Sequence, residues 1–241
     1  DYQTDFTTMI NWLSLDALIN VFSYNQEVSA MYLSTNLNFN RDIGVLMGTR
    51  YERTDINGEY DSYYMSFDPV PYHNIVPNLT ISKKLNMFQT IKLAYTNRIQ
   101  RPDIHKVNTN IEISDLNNIS TGNPELTPSN SHQLELGYTS FKPGLMTSFF
   151  LYYKKTYNVI ETFTSIIEDD VFETNYLNTG DNHSYGFNFF GSTTIKKILT
   201  LRGGFDVYTL YESLLYKYNF NANVKLGKGY KLESRAFFRS P

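Results

Sequence analysis

Between Tyr216 and Leu226 the chain alternates without a break. Tyr216, Tyr218, Phe220, Ala222, Val224 and Leu226 interleave with Lys217, Asn219, Asn221, Asn223 and Lys225. Successive side chains of a β-strand point to opposite faces, so this segment builds one apolar wall and one polar wall. Similar stretches recur from about residue 25 to Arg239. Such a chain folds as an antiparallel sheet with water on one side and either lipid or a protein core on the other.

The spacing of the stretches separates those two cases. Short connections are expected at residues 40–42, 84–88, 142–144, 196–198 and 227–229, and longer ones at 13–25, 55–73, 101–130, 157–183 and 210–215. The two sets alternate along the chain. A soluble β-sandwich or jelly roll has no reason to sort its loops this way. An outer-membrane barrel does, with short turns on the periplasmic rim and long loops on the outer one. The stretches also meet the roughly 9–11 residues that a tilted strand needs to cross hydrocarbon. The expected fold class is all-β: an antiparallel transmembrane β-barrel segment of about 11 strands.

Composition supports this reading. Twenty Tyr and 17 Phe stand against one Trp. Tyr suits a membrane–water boundary, with an apolar ring and a wet hydroxyl. Mean hydropathy is −0.38 and no run of apolar residues is long enough for a transmembrane helix. A net charge of −3 offers no electrostatic footprint for nucleic acid. There is no cysteine, hence neither disulfide nor thiol chemistry. The first expected strand, Tyr2 to Trp12, is weak. Next to it, Ile10, Leu13, Ala17, Leu18 and Val21 are spaced like a helix face that Ser14 could cap; an irregular apolar loop fits equally well. Asn57-Gly58 is a turn signal inside the first long loop after Thr54.

Three stretches carry more than a pattern. They are Gly48-Thr49-Arg50-Tyr51-Glu52-Arg53-Thr54, Asn97-Arg98-Ile99-Gln100-Arg101-Pro102-Asp103-Ile104, and Thr121-Gly122-Asn123-Pro124-Glu125-Leu126-Thr127-Pro128 followed by Leu134-Glu135-Leu136-Gly137-Tyr138. In this order they resemble the barrel portion of TonB-dependent receptors. The nearest likeness is to the outer-membrane β-barrel family abundant in Bacteroidota, relatives of the SusC-type transporters. The resemblance implies a barrel of about 22 strands, an N-terminal plug inside it, and energy supplied through TonB. About 11 strands make roughly half of such a barrel, so the chain is expected to be one partial barrel domain of a longer protein, with plug and closing strands elsewhere.

The same resemblance marks Gly122, Asn123, Pro124, Leu126, Pro128, Glu135 and Gly137 as a structural signature. Read from the residues, Gly122 to Leu126 is a tight bend returning the loop to the barrel, using the freedom of Gly and the fixed φ of Pro. Arg50, Glu52, Lys92, Arg98, Glu135, Arg202 and Asp206 lie on polar strand faces and are expected to face the lumen, pairing with a plug or lining a solute path. Glu168, Asp169, Asp170 and Glu173 read as a solvated acidic loop, since EF-hand spacing is missing. His73, His105, His132 and His183 lack zinc spacing. Tyr63-Tyr64, Tyr152-Tyr153, Tyr208, Tyr211, Tyr216 and Tyr218 are expected at the outer ends of strands as interfacial girdle residues, a few of them free to stack on a solute. No nucleophile–base order or phosphate-cradling loop stands out, so neither enzyme activity, cofactor nor metal is expected.

The function these signs favour is uptake of a small solute (glycan, peptide or siderophore) across a bacterial outer membrane. Outer-membrane lipid, the TonB system acting through the plug and a surface lipoprotein are the partners in view; no nucleic acid is. The long loops at 55–73, 101–130 and 157–183 are the expected recognition elements. A structural or accessory barrel subunit of a secretion or surface-lipoprotein complex is the alternative.

Overall fold

The structure is a computed structural model and describes residues 22–60, 66–67, 71–115, 117–168, 171–227 and 229–240. Ten strands form one continuous antiparallel sheet in chain order. They are β1 (Phe22–Phe39), β2 (Ile43–Tyr60), β4 (Tyr72–Asn86), β5 (Gln89–Gln100), β8 (Ser129–Lys142), β9 (Leu145–Tyr157), β12 (Asn182–Ile195), β13 (Leu199–Leu210), β14 (Ser213–Gly227) and β15 (Tyr230–Arg239). The two-residue β3 (Ser66–Phe67) pairs with the far end of β2. The expected first strand, Tyr2 to Trp12, and the neighbouring helix face lie outside the described residues.

Register gives every strand the same two faces. One ladder runs Leu37–Val45–Ile81–Leu93–Leu136–Leu151–Phe187–Val207–Tyr216 across nine strands. Shifted one residue along the strands, the other face runs Gly44–Ser82–Lys92–Gly137–Phe150–Asn188–Asp206–Lys217–Arg239. The apolar row is not covered by a second layer: Leu93, Leu136, Leu151 and Tyr216 are all exposed. The buried apolar side chains among the described residues are few: Ile56, Val76, Ala94, Pro102, Val107 and Leu126. A sandwich buries such a face against a partner sheet. Here the face is a single apolar surface, which water does not tolerate at this size and hydrocarbon does.

The short connections close as tight turns. Lys196 and Lys197 both take positive φ (49° and 59°), and Ile198 N–H donates to Ile195 C=O at 3.0 Å. On the opposite rim the sequence expectations need two corrections. Asn57-Gly58 is no turn; it continues β2, which reaches Tyr60 because β1 pairs with it along its whole length. The connection at 210–215 is not long: Tyr211 and Glu212, at φ 47° and 67°, close a two-residue hairpin, so the alternation of short and long loops fails here. The loops at 101–130 and 157–183 carry structure of their own, in line with the strand character expected of Val159 to Phe163 and Phe172 to Leu177. They fold into a second sheet of β10 (Ile160–Glu168), β11 (Val171–Asn178), β7 (Asn118–Ser120) and β6 (Glu112–Asp115), and a short helix α1 (Ile104–Val107) precedes it. β7 and β11 pair in parallel, which joins two loops far apart in sequence.

Candidate functional site

All seven charged residues marked by the sequence fall on the polar face of the ten-stranded sheet. Arg50 and Glu52 project from β2 opposite Val76 and Asn74. Lys92 and Arg98 share that face of β5, Glu135 that of β8, and Arg202 and Asp206 that of β13. Five of them make two groups rather than one site.

The first group is built on Glu52. Its side chain is 5% exposed and is gripped by Arg50 on one oxygen and by Arg101 on the other. Arg101 Nε also donates to Thr54 Oγ1 at 3.1 Å. Arg101 enters from the residue just past β5, so it ties the start of the long loop to β2. Beside this cluster a recess of about 380 Å³ opens between strands, lined by Tyr32, Arg50, Val76, Asn78, Thr96 and Arg98. Arg98 carries neither ion pair nor side-chain hydrogen bond among the described residues. A guanidinium at such an edge offers a fork of donors to an anion.

The second group lies on β13 and β14. Lys217 Nζ sits 2.9 Å from Asp206 Oδ2 and 5.7 Å from the centroid of the Tyr208 ring. Asp206 Oδ1 is buried with no partner among the described atoms. Arg202 stands two positions further along the same face, beyond Gly204 and opposite Asn221, whose amide donates to Glu233 Oε1 at 3.0 Å.

The tyrosines expected in a girdle divide between the two faces. Tyr153, Tyr216 and Tyr218 stand on the apolar face. Tyr152 and Tyr208 are on the polar face, because neighbours in a strand point opposite ways. Tyr152 lies directly over Gly186, where an added Cβ would come within 2.1 Å of its ring. Phe150 covers Gly137 in the same way, at 2.8 Å. Gly137 is therefore the seat of an aromatic ring. Tyr63-Tyr64 and the acidic pair Asp169-Asp170 lie outside the described residues.

The Gly122 bend has a different cause from the one expected. Gly122 does not take positive φ. A Cβ there would stand 2.4 Å from the Asn108 carbonyl oxygen and 2.7 Å from its nitrogen, so the position demands close backbone approach. Gly122 N–H donates to Asn108 C=O at 2.8 Å and Asn123 N–H to Lys106 C=O at 2.6 Å. Asn123 Oδ1 accepts from Glu125 N–H at 2.9 Å across Pro124, and Asn123 Nδ2 donates to Tyr176 C=O at 2.9 Å. Leu126 is buried; Pro128 leads the chain into β8.

Sequence reasoning missed the residues that lock the second sheet over the rim. Asn178 Oδ1 accepts from Thr127 N–H at 2.9 Å, and its Nδ2 donates to Thr127 C=O at 3.0 Å and to Asn158 C=O at 2.9 Å. Glu161 accepts from Thr179 Oγ1 at 2.7 Å and from the Tyr211 hydroxyl. The hydrogen bond from Tyr211, then that from Thr179, holds the Glu161 carboxyl below its ordinary range; the same carboxylate pushes the Tyr211 phenol up. Nothing in the spacing of Asn178 or Glu161 signals a partner up to 51 residues away.

A single apolar face, a single polar face and rims of unequal loop length are now in place, and the comparisons agree with them. The model of the outer membrane protein beta-barrel family matches residues 1–241. The chain belongs to that family. As a member it resides in the bacterial outer membrane, and its sheet is a partial transmembrane barrel. No curated protein matches the sequence. Among solved structures the family member is similar to the siderophore receptor PirA of Pseudomonas aeruginosa, with a TM-score of 0.67, 12% identity, and coverage of 91% of this chain and 49% of that one. It is similar to the hemophore receptor HasR of Serratia marcescens, solved with its hemophore HasA and heme, with a TM-score of 0.69, 10% identity, and coverage of 90% and 44%. It is also similar to the FrpB iron transporter of Neisseria meningitidis, with a TM-score of 0.64, 10% identity, and coverage of 95% and 35%. At these identities the likeness is one of fold. The family member spans less than half the length of each of these three chains.

Proposed function

We propose that this chain is the barrel segment of a TonB-dependent outer-membrane receptor that takes up a small solute, related to the SusC-type transporters. The observation that carries the reading is the shared face of Arg50, Glu52, Lys92, Arg98, Glu135, Arg202 and Asp206. With the apolar face turned to lipid, that face encloses the bore, and charges on it meet a plug or a solute. The rim sheet supports a recognition role, because it is built from the two longest loops and tied to the barrel by Asn178. In this reading the plug and TonB contact lie in the remainder of the protein, and the short turns face the periplasm. Arg98, unpaired among the described residues, and the partly exposed Arg50 at one recess favour an anionic solute such as a siderophore over a neutral glycan.

The test uses the full-length receptor. Deleting residues 160–178 and, separately, Arg98→Ala are each expected to weaken binding of a ferric siderophore by about tenfold or more. The barrel should meanwhile keep its heat-modifiable mobility on gels. Undiminished uptake in both variants would overturn the receptor reading.

A further inference from the structure

The two rims of the sheet carry opposite charge. The described residues of the short-turn segments, within 40–43, 83–89, 141–145, 195–199 and 225–231, hold eight of the chain's 21 Lys and Arg and one carboxylate, Asp42. Those of the opposite rim, within 53–72, 101–128, 158–182 and 211–212, hold eleven of the 24 Asp and Glu and three basic residues. Net charge of −3 hides this separation.

The basic residues are distributed around the rim. Arg41 stands in the first turn, Lys83 and Lys84 lead into the second, and Lys142 opens the third. Lys196 and Lys197 form the fourth; Lys225 and Lys231 flank the fifth. All eight are exposed and none is in a salt bridge among the described residues. Apolar side chains project beside them at the same level: Met87 is 91% exposed, Tyr230 71% and Leu226 65%. A turn dipping into water gains nothing from Met87 at its tip. A turn lying in a headgroup layer gains from both kinds of residue, the apolar groups reaching toward acyl chains and the long cationic ones toward phosphate.

The fourth turn adds a third observation. Both of its central residues are in the left-handed region, where Asn and Gly are the ordinary occupants and Lys is strained. The chain keeps two lysines there against local preference, which points to a role for their charge.

We infer that the short-turn rim binds the phosphate headgroups of anionic phospholipids, such as phosphatidylglycerol, in the periplasmic leaflet of the outer membrane. A ring with cations at each of the five turns fits a lipid annulus; a compact protein partner would need one patch. The leaflet assignment rests on the orientation proposed above.

The test uses full-length receptor in nanodiscs and in mild detergent. One variant replaces Lys196→Asn and Lys197→Gly, which relieves the turn and removes two charges without a folding penalty. A second adds Lys83→Gln, Lys84→Gln and Lys142→Gln. Arg53→Gln on the other rim is the control. By native mass spectrometry the wild type and the control should retain phosphatidylglycerol over phosphatidylcholine by about tenfold. The first variant should lose part of that preference, and the five-charge variant should fall to within about twofold. Solute binding should be unchanged. A wild type that does not discriminate the two lipids, or a five-charge variant that keeps the full preference, would overturn the proposal. So would displacement of the lipid by millimolar glycerol phosphate, which would mark a site for a soluble anion. Met87→Cys, the only cysteine in this chain, separates the two readings. Reaction with an impermeant maleimide only after permeabilisation supports the periplasmic assignment; reaction in intact cells overturns the orientation and the leaflet, whatever the lipid preference.

Discussion

Gly122, in a loop, and Glu52, on a strand, show how differently two residues can be constrained. At Gly122 a Cβ would meet backbone atoms, which cannot rotate away. Gly122→Ala is therefore expected to cost about 1–3 kcal/mol and to raise hydrogen exchange around residues 106–108 and 121–123; protection equal to wild type would refute the close-approach argument. At Glu52 the constraint is charge. Removing it leaves Arg50 and Arg101 without their shared acceptor, though Arg50 is 48% exposed and can rehydrate. Glu52→Gln should cost about 2 kcal/mol, read as a lower urea midpoint for the refolded barrel. Asp55→Asn, which breaks the exposed Arg53–Asp55 pair, should cost no more than about 1 kcal/mol. Equal effects of the two changes would mean that burial is not what distinguishes them. The sequence pointed to both residues, since Gly122 sits in a recognisable bend and Glu52 alternates with apolar neighbours. It gave no means of finding Arg101 or Asn178, whose partners are set by loop folding and not by strand periodicity.

Strands were readable because a period of two decides which side chains share a face. That is why the face of Arg202 could be assigned from its neighbours alone. Ends were less readable. β2 runs through Asn57-Gly58 because β1 supplies backbone partners that outweigh a turn-forming dipeptide. Strand character was readable at Val159 to Phe163 and Phe172 to Leu177, the two arms of the hairpin β10–β11, but their pairing was not. The attachment of this hairpin is sensitive to acid. Glu161 is held below its ordinary carboxylate range, so its contribution is present above that range and is lost as pH falls through the lowered value. Tyr211, pushed up, contributes below its ordinary value and loses that contribution only in strong alkali. Protection factors of residues 160–178, each referred to the intrinsic exchange rate at the same pH, should therefore be high at neutral pH and lower near pH 3. In Tyr211→Phe they should be lower at neutral pH and change less on acidification. A hairpin equally protected at both pH values in the wild type would show that this contact does not hold it.

At the scale of the molecule the decisive feature is a sheet with two open edges. Along the outer sides of β1 and β15 the backbone donors and acceptors have no strand partner among the described residues. In water an edge strand is tolerable; in hydrocarbon each unpaired peptide group costs several kcal/mol, and a spanning sheet must close. Closure could come from further strands of the same polypeptide or from another copy of this sheet. The solved chains of similar fold are more than twice as long as the portion matched, which favours the first. Residues 1–241 expressed alone with a secretion signal should accordingly fail to give a heat-modifiable, protease-resistant species in the outer membrane. Co-expression of the remaining strands as a separate chain should restore it, and alternate residues of β1 and β15 should then form disulfides with cysteines placed on the added strands. A stable, heat-modifiable assembly from 1–241 alone, at twice the monomer mass, would show instead that two copies close each other's edges.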